Sequence, residues 1–184
     1  LAYRHMRAAG IHLLSSVEAN PSTDPTRPGA LLDSSPLFSS LRHDEKETFS
    51  QNMSLQSFRT GETILEAGEV SDHLFIIESG VVSVTLNRHG TPIESGRMGP
   101  GEVIGEAGIL TDSALPAQFT AKTPCTLYRI EKQYLKPCLD ARQDINDAMK
   151  TLLDFRLNKA KSLIADVPLV VPKKGFLQWL RSRV

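Results

Sequence analysis

The sequence predicts an α+β fold: an antiparallel β-roll or barrel with short helices before it and a short, then a long, helix after it. Two changes of period carry that prediction. Between Leu55 and Ile130 apolar residues come in short, period-two runs broken by glycine, whereas beyond Glu131 they recur every third or fourth position. A length of 184 residues, 40% of them hydrophobic, suits one domain with a core of its own plus appendages.

Taken in order, residues 1–9 can form a helix that Gly10 ends, and the apolar run 11–14 completes a stub, 1–14, expected to trail from a preceding domain. Residues 15–29 read as a linker, because Pro21, Pro25 and Pro28 interrupt any continuous helix. The β-roll domain is expected over residues 30–140. Leu37, Phe38, Leu41, Phe49 and Met53, with Asp44, Glu45 and Glu47 where a helix start favours acid, predict two short helices between residues 36 and 53. Residues 55–58, 63–65, 74–77, 81–86 and 126–130 predict strands, with a hairpin tip at 88–91 and a sharp turn at Gly99-Pro100-Gly101. Many short antiparallel strands protect their edges by closing on themselves, hence the roll. Residues 131–139 predict a short helix. Ile145, Ala148, Met149, Leu152, Leu153, Leu157, Ala160, Leu163 and Ile164 predict a long amphipathic one over 143–165, inside a C-terminal helical segment 141–167. Pro168 and Pro172 close it, leaving 168–184 as a basic tail.

Composition excludes several classes. No apolar run approaches the roughly 20 residues that a membrane-spanning helix needs. Only Cys125 and Cys138 occur, too few for a disulfide scaffold, and their reading as reduced thiols places the chain in the cytoplasm. His5, His12, His43, His73 and His89 have no metal-ligand spacing with the cysteines, so no metal site is expected. No nucleophile–base order stands out, and no enzyme is expected. The 21 basic and 21 acidic residues cancel, which argues against nucleic acid as a partner. They are divided unevenly, however: residues 31–149 hold ten basic and seventeen acidic residues, and residues from Lys150 onward hold eight basic and two acidic. The basic tail, with Phe176, Leu177, Trp179 and Leu180 beside Lys173, Lys174, Arg181 and Arg183, reads either as a solvated terminus, as a segment folding back on the acidic body of its own chain, or as a contact for a membrane surface or another subunit.

The stretch Gly101-Glu102-Val103-Ile104-Gly105-Glu106-Ala107-Gly108-Ile109-Leu110, the run DHLFIIESG ending at Gly80, and the glycines Gly61, Gly68 and Gly90 together resemble the cyclic-nucleotide-binding domain over about residues 36 to 160. That family includes catabolite-activator-type regulators, the regulatory subunits of protein kinase A and the tails of cyclic-nucleotide-gated channels. The resemblance implies a jelly-roll-like β-roll and a non-catalytic, regulatory role. It also implies that Gly105 and Glu106 open a phosphate-binding cassette, with Glu106 accepting from a ribose hydroxyl. Ala107, Gly108, Ile109 and Leu110 then match the cassette's short helix, and Ala117 a small residue after the phosphate-pairing arginine. Counting from Gly105 puts Leu115 in the arginine's place and Pro116 where a backbone N–H is implied, and proline has no N–H. No Arg or Lys lies between Glu102 and Phe119. The candidate pocket of Gly105, Glu106, Ala107, Gly108, Ile109, Leu115, Pro116 and Ala117 is thus degenerate, and weak or no binding of cyclic AMP and cyclic GMP is expected, with no other cofactor. Lys122, Arg97 and Arg129 are the nearest cations along the chain that could stand in.

Residues 3–11 (YRHMRAAGI) resemble the end of the cytoplasmic domain of small-conductance mechanosensitive channels. That resemblance implies a parent membrane channel and an inner-membrane tether through a preceding part. The alternative is the ligand-sensing domain of a catabolite-activator-type transcription regulator without its DNA-binding part, since only about twenty residues follow the long helix.

Overall fold

The computed structural model describes residues 26–164, so the N-terminal stub, most of the linker and the basic tail lie outside the described residues. Two four-stranded antiparallel sheets form the expected roll. Strands β1 (Met53–Phe58), β8 (Cys125–Glu131), β3 (His73–Ser79) and β6 (Val103–Ile104) make one sheet in that order. Strands β2 (Thr63–Leu65), β7 (Gln118–Ala121), β4 (Val82–Arg88) and β5 (Thr91–Met98) make the other. Helices α1 (Thr26–Ser34) and α2 (His43–Gln51) precede the roll, α3 (Glu106–Thr111) interrupts it, and α4 (Lys132–Ala141) and α5 (Gln143–Ile164) follow.

Period two explains why the first sheet needs cover on both faces. On β3, Phe75 and Ile77 point into the roll while Leu74 and Ile76 point out of it, and on β8 Leu127 and Ile130 divide in the same way. The outward set is covered by Leu32, Phe49, Leu135, Leu139, Ile145 and Met149 from the helices and by Phe38 from the turns between α1 and α2. A strand buried on both sides reads as a continuous apolar run, which is how Leu74-Phe75-Ile76-Ile77 stands in the sequence. Helix α5 joins the two cores: Ile145 and Met149 belong to the outer one, while Leu153 and Leu157 belong to the inner one. Spacing of four residues keeps these side chains on one stripe of the helix.

Several elements differ from expectation. The first helix starts at Thr26, inside the segment expected as linker, because Pro28 falls in the first turn, where a missing N–H breaks no helical bond. Residues 35–40 then form turns rather than a helix. Strands β5 and β7 carried no clear period-two signal; β5 contains Pro92 and Gly96, and tertiary pairing with β4 makes it a strand. The hairpin tip, the turn after β5, and α4 with its internal Pro137 lie where expected.

Both cysteines are free; Cys125 is buried, and burial pushes the half-buried Cys138 thiol up to about 11. The junction of α4 and α5 is tied to α2 by Arg142, whose guanidinium donates to Glu45 Oε2 at 2.5 Å, to the Ser40 carbonyl at 2.9 Å and to Asp144 at 2.8 Å. The bond from Arg142 holds the Asp144 carboxyl down at about 2, against an ordinary value of 3.8. A depressed folded-state value means stability that is present above the ordinary value and is lost as pH falls through the folded one. Wild type should therefore lose its thermal-stability margin over Asp144→Asn between about pH 4 and pH 2. A margin constant over that window in paired melting curves would show that the bond contributes nothing.

Candidate functional site

The turn into α3 sets the site. Gly105 caps the helix with φ of 99°, and a Cβ there would lie 2.6 Å from the His73 carbonyl oxygen. Gly108 lets α3 press against the β2–β3 connection: a Cβ would lie 2.1 Å from the Ser71 carbonyl oxygen, well inside contact distance. These two glycines are therefore backbone requirements of the turn and of α3, and neither lines the cleft beside it. Ile109 turns the other way and is buried in the outer core.

Glu106, Ala107, Leu115, Pro116 and Ala117 line a cleft of about 180 Å³ between the second sheet and α5. Its walls are mostly apolar: Val84, Leu86 and Met98 come from β4 and β5, Phe119 from β7, and Leu153, Leu157 and Ala160 from α5. Leu115 is only 4% exposed, so the position at which the family resemblance implies an arginine is filled by a buried aliphatic side chain. Its backbone is spoken for as well, since its N–H donates to the Glu69 carbonyl at 2.7 Å and its carbonyl accepts from Gly68 at 2.9 Å.

Glu106 is the one charged residue in the described core, 4% exposed. A buried carboxylate needs a counter-charge. It has one in Arg156 of α5, whose Nη1 donates to Glu106 Oε1 at 2.7 Å and to the Val103 carbonyl oxygen at 2.7 Å. The side chain implied for a ribose is thus bonded to the C-terminal helix. On its other side α3 is held by Lys132 at the start of α4, which donates to the Gly108 carbonyl at 3.2 Å and pairs with Asp112. Both helices after the roll therefore grip the short helix of the cassette.

Of the three cations considered from the sequence, only Arg97 lines the cleft, and it pairs with Glu94 at 2.7 Å. Lys122 lies 3.5 Å from the same Glu94, and Arg129 pairs with Asp72 and Glu131 on the other sheet. The cations that sequence reasoning missed are Arg156 and Lys159, because distance along the chain does not report which helix face returns to the roll. Their helical spacing relative to Leu153 and Leu157 is the one signal that could have found them. Among the described residues no group of three His, Cys, Asp or Glu side chains could hold a metal, and no helix is long and apolar enough to cross a membrane.

The fold thus presents a β-roll carrying a glycine-capped short helix beside a cleft, with the long helix α5 forming one of the cleft's walls. Residues 55–142 match the family model of the cyclic nucleotide-binding domain, and this part of the chain is a domain of that kind. In sequence, the chain is 27% identical over 123 residues to the cAMP-dependent protein kinase type II regulatory subunit of Drosophila melanogaster, covering 64% of this chain and 33% of that protein. It thus spans about a third of the length of that curated relative. In structure, it resembles the regulatory subunit of a cAMP-independent protein kinase A from Trypanosoma brucei, as a triple mutant bound to cAMP in the A site (TM-score 0.65, 24% identity, 74% of this chain and 52% of that one). The corresponding subunit from Trypanosoma cruzi, bound to guanosine, gives a TM-score of 0.65 at 24% identity over 76% and 52% of the two chains. These relatives are kinase regulatory subunits, so the channel origin implied by residues 3–11 gains no support, and the transcription-regulator alternative is not favoured.

Proposed function

We propose that this domain is a non-catalytic regulatory module whose cleft binds cyclic AMP and cyclic GMP weakly or not at all, and whose signalling element is α5. The observation that carries the reading is the pair Leu115 and Pro116, an apolar side chain and a residue without an N–H where two bonds to a cyclic phosphate are implied. Hydrogen bonds to a charged group contribute about 1.5–3 kcal/mol each, so the loss of two weakens binding by about two to four orders of magnitude. The Trypanosoma brucei neighbour supports it: that protein is the regulatory subunit of a cAMP-independent protein kinase A, and the form bound to cAMP carries three substitutions, a Glu replaced by Ala and, further on, an introduced Arg followed by an introduced Ala.

The mechanism follows from α5 sharing both cores. A ligand that competes with Leu153, Leu157 or the Arg156–Glu106 bond shifts the equilibrium between docked and undocked helix, and only its difference in affinity for the two states drives the change. At about 180 Å³ the docked cleft is smaller than the 300–1,000 Å³ or so of ordinary ligand pockets, as expected while the helix stands in it. Calorimetric titration with cyclic AMP, cyclic GMP and guanosine tests the reading. The expected result is no saturable heat from either cyclic nucleotide at micromolar protein; tight binding of one of them, abolished by Glu106→Ala, would overturn it. Guanosine has no phosphate and probes whether an uncharged nucleoside escapes the loss of the anchors.

A further inference from the structure

Lys159 stands one turn beyond Arg156 on α5 and lines the same cleft. Its ammonium lies over Gly96 of β5, where a Cβ on residue 96 would be 3.3 Å from Nζ. A Cβ there would need the ammonium to give by only a few tenths of an ångström, so Lys159 reaches the strand at van der Waals range. The two acids of the cleft lining, and Glu94 on the same strand as Gly96, each have other partners. Glu94 pairs with Arg97 and Lys122, Glu102 accepts the Gly99 N–H at 2.8 Å, and Glu106 is bonded to Arg156. Lys159 has no ion-pair or hydrogen-bond partner for its ammonium among the described residues. The cleft lining thus holds three cations, Arg97, Arg156 and Lys159, against the acids Glu102 and Glu106, and one positive charge is unbalanced beside an apolar wall.

We propose that this cleft is a site for an organic anion with a single acid group and an apolar body, the acid group held by Lys159 and the body lying against Leu115, Ala117, Phe119 and Leu157. The inference rests on reading the cleft as a ligand site without its phosphate-pairing arginine, and it assigns the cation to the helix that closes the cleft instead. Charge-assisted bonds are the strong ones, and apolar pockets with few polar groups take their orientation from them. Because Lys159 remains solvent-exposed, an anion reaches it without first displacing α5. Such a ligand would bridge α5 to β4 and β5 and hold the helix docked.

The test is a fluorescence titration of the whole chain with two probes of the same ring system, anilinonaphthalene sulfonate, which carries one negative charge, and phenylnaphthylamine, which carries none. Lys159→Met should weaken the sulfonate probe about tenfold or more while leaving the neutral probe within about twofold. Lys161→Met removes the same charge two residues along and should leave both unchanged. Equal weakening by the two substitutions, or an unaltered sulfonate titration in Lys159→Met, would overturn the proposal. Tight cyclic AMP binding by the unmodified chain would instead overturn the reading of the cleft as degenerate, so the two failures are told apart by different titrations.

Discussion

Leu115→Arg combined with Pro116→Ala should raise the affinity for cyclic AMP by about two to four orders of magnitude, bringing a saturable calorimetric titration into the micromolar range. The first change supplies a guanidinium fork for two phosphate oxygens, and the second supplies a backbone N–H that proline lacks. Neither anchor is offered by the native side chains, because Leu115 is aliphatic and buried and residues 102–119 contain no cation. The work of opening α5 is common to the native and the substituted chain, so it lowers both affinities without changing their ratio. Leu115→Arg alone should recover only part of the gain. Burying a guanidinium without a ligand is unfavourable, so the doubly substituted chain should also be less stable when free and regain stability when cyclic AMP is added. A melting temperature that ignores the nucleotide, together with an unchanged titration, would mean that the cleft is not the nucleotide site of this fold.

Arg156→Ala should cost about 3 kcal/mol of stability, the lower end of what breaking a buried ion pair removes, since a fifth of the Arg156 side chain meets solvent. The cost falls on Glu106, whose carboxylate is then buried without a counter-charge. Glu106→Gln combined with Arg156→Met should be milder than Arg156→Ala alone, because the charge that needed a partner has gone as well. Denaturant titration of the wild type, Glu106→Gln, Arg156→Met and the double variant gives the coupling energy. Hydrogen exchange separates local from global loss: protection in α5 should fall first, since Leu153, Leu157 and the ion pair are what hold it on the roll. A change of less than about 0.5 kcal/mol would place the pair among ordinary surface contacts.

The consequences for regulation come from that coupling. Helix α3 is the element a ligand would touch, and it is bonded to α5 through Glu106 and to α4 through Lys132 and the Gly108 carbonyl. The α4–α5 junction is in turn fixed to α2 by Arg142. A change in the cleft therefore meets both post-roll helices directly, and the helices before the roll at one remove.

What the sequence alone determined was the local periodicity and the residue types around the α3 turn. The apolar runs of β3 and β8, the glycines of the α3 turn and the three-to-four spacing of α5 are each dictated by neighbours along the chain, and they were legible. So was the absence of an arginine between Glu102 and Phe119, which is a statement about residue types alone. Strand β5 was not legible, because Pro92 and Gly96 blur its alternation and its pairing with β4 decides its state. Nor was the fate of Glu106: the family resemblance implies a carboxylate for a ribose and its place at a helix start suits a capping acid, and in the fold it is bonded to a residue fifty positions later. Only the tertiary structure decides that contact, because the turn at Arg142 between α4 and α5 sets which face of α5 returns to the cleft. Burial then follows from packing, and it is burial that makes Arg156 a structural counter-charge for Glu106, while Lys159 lines the same cleft with no ion pair among the described residues.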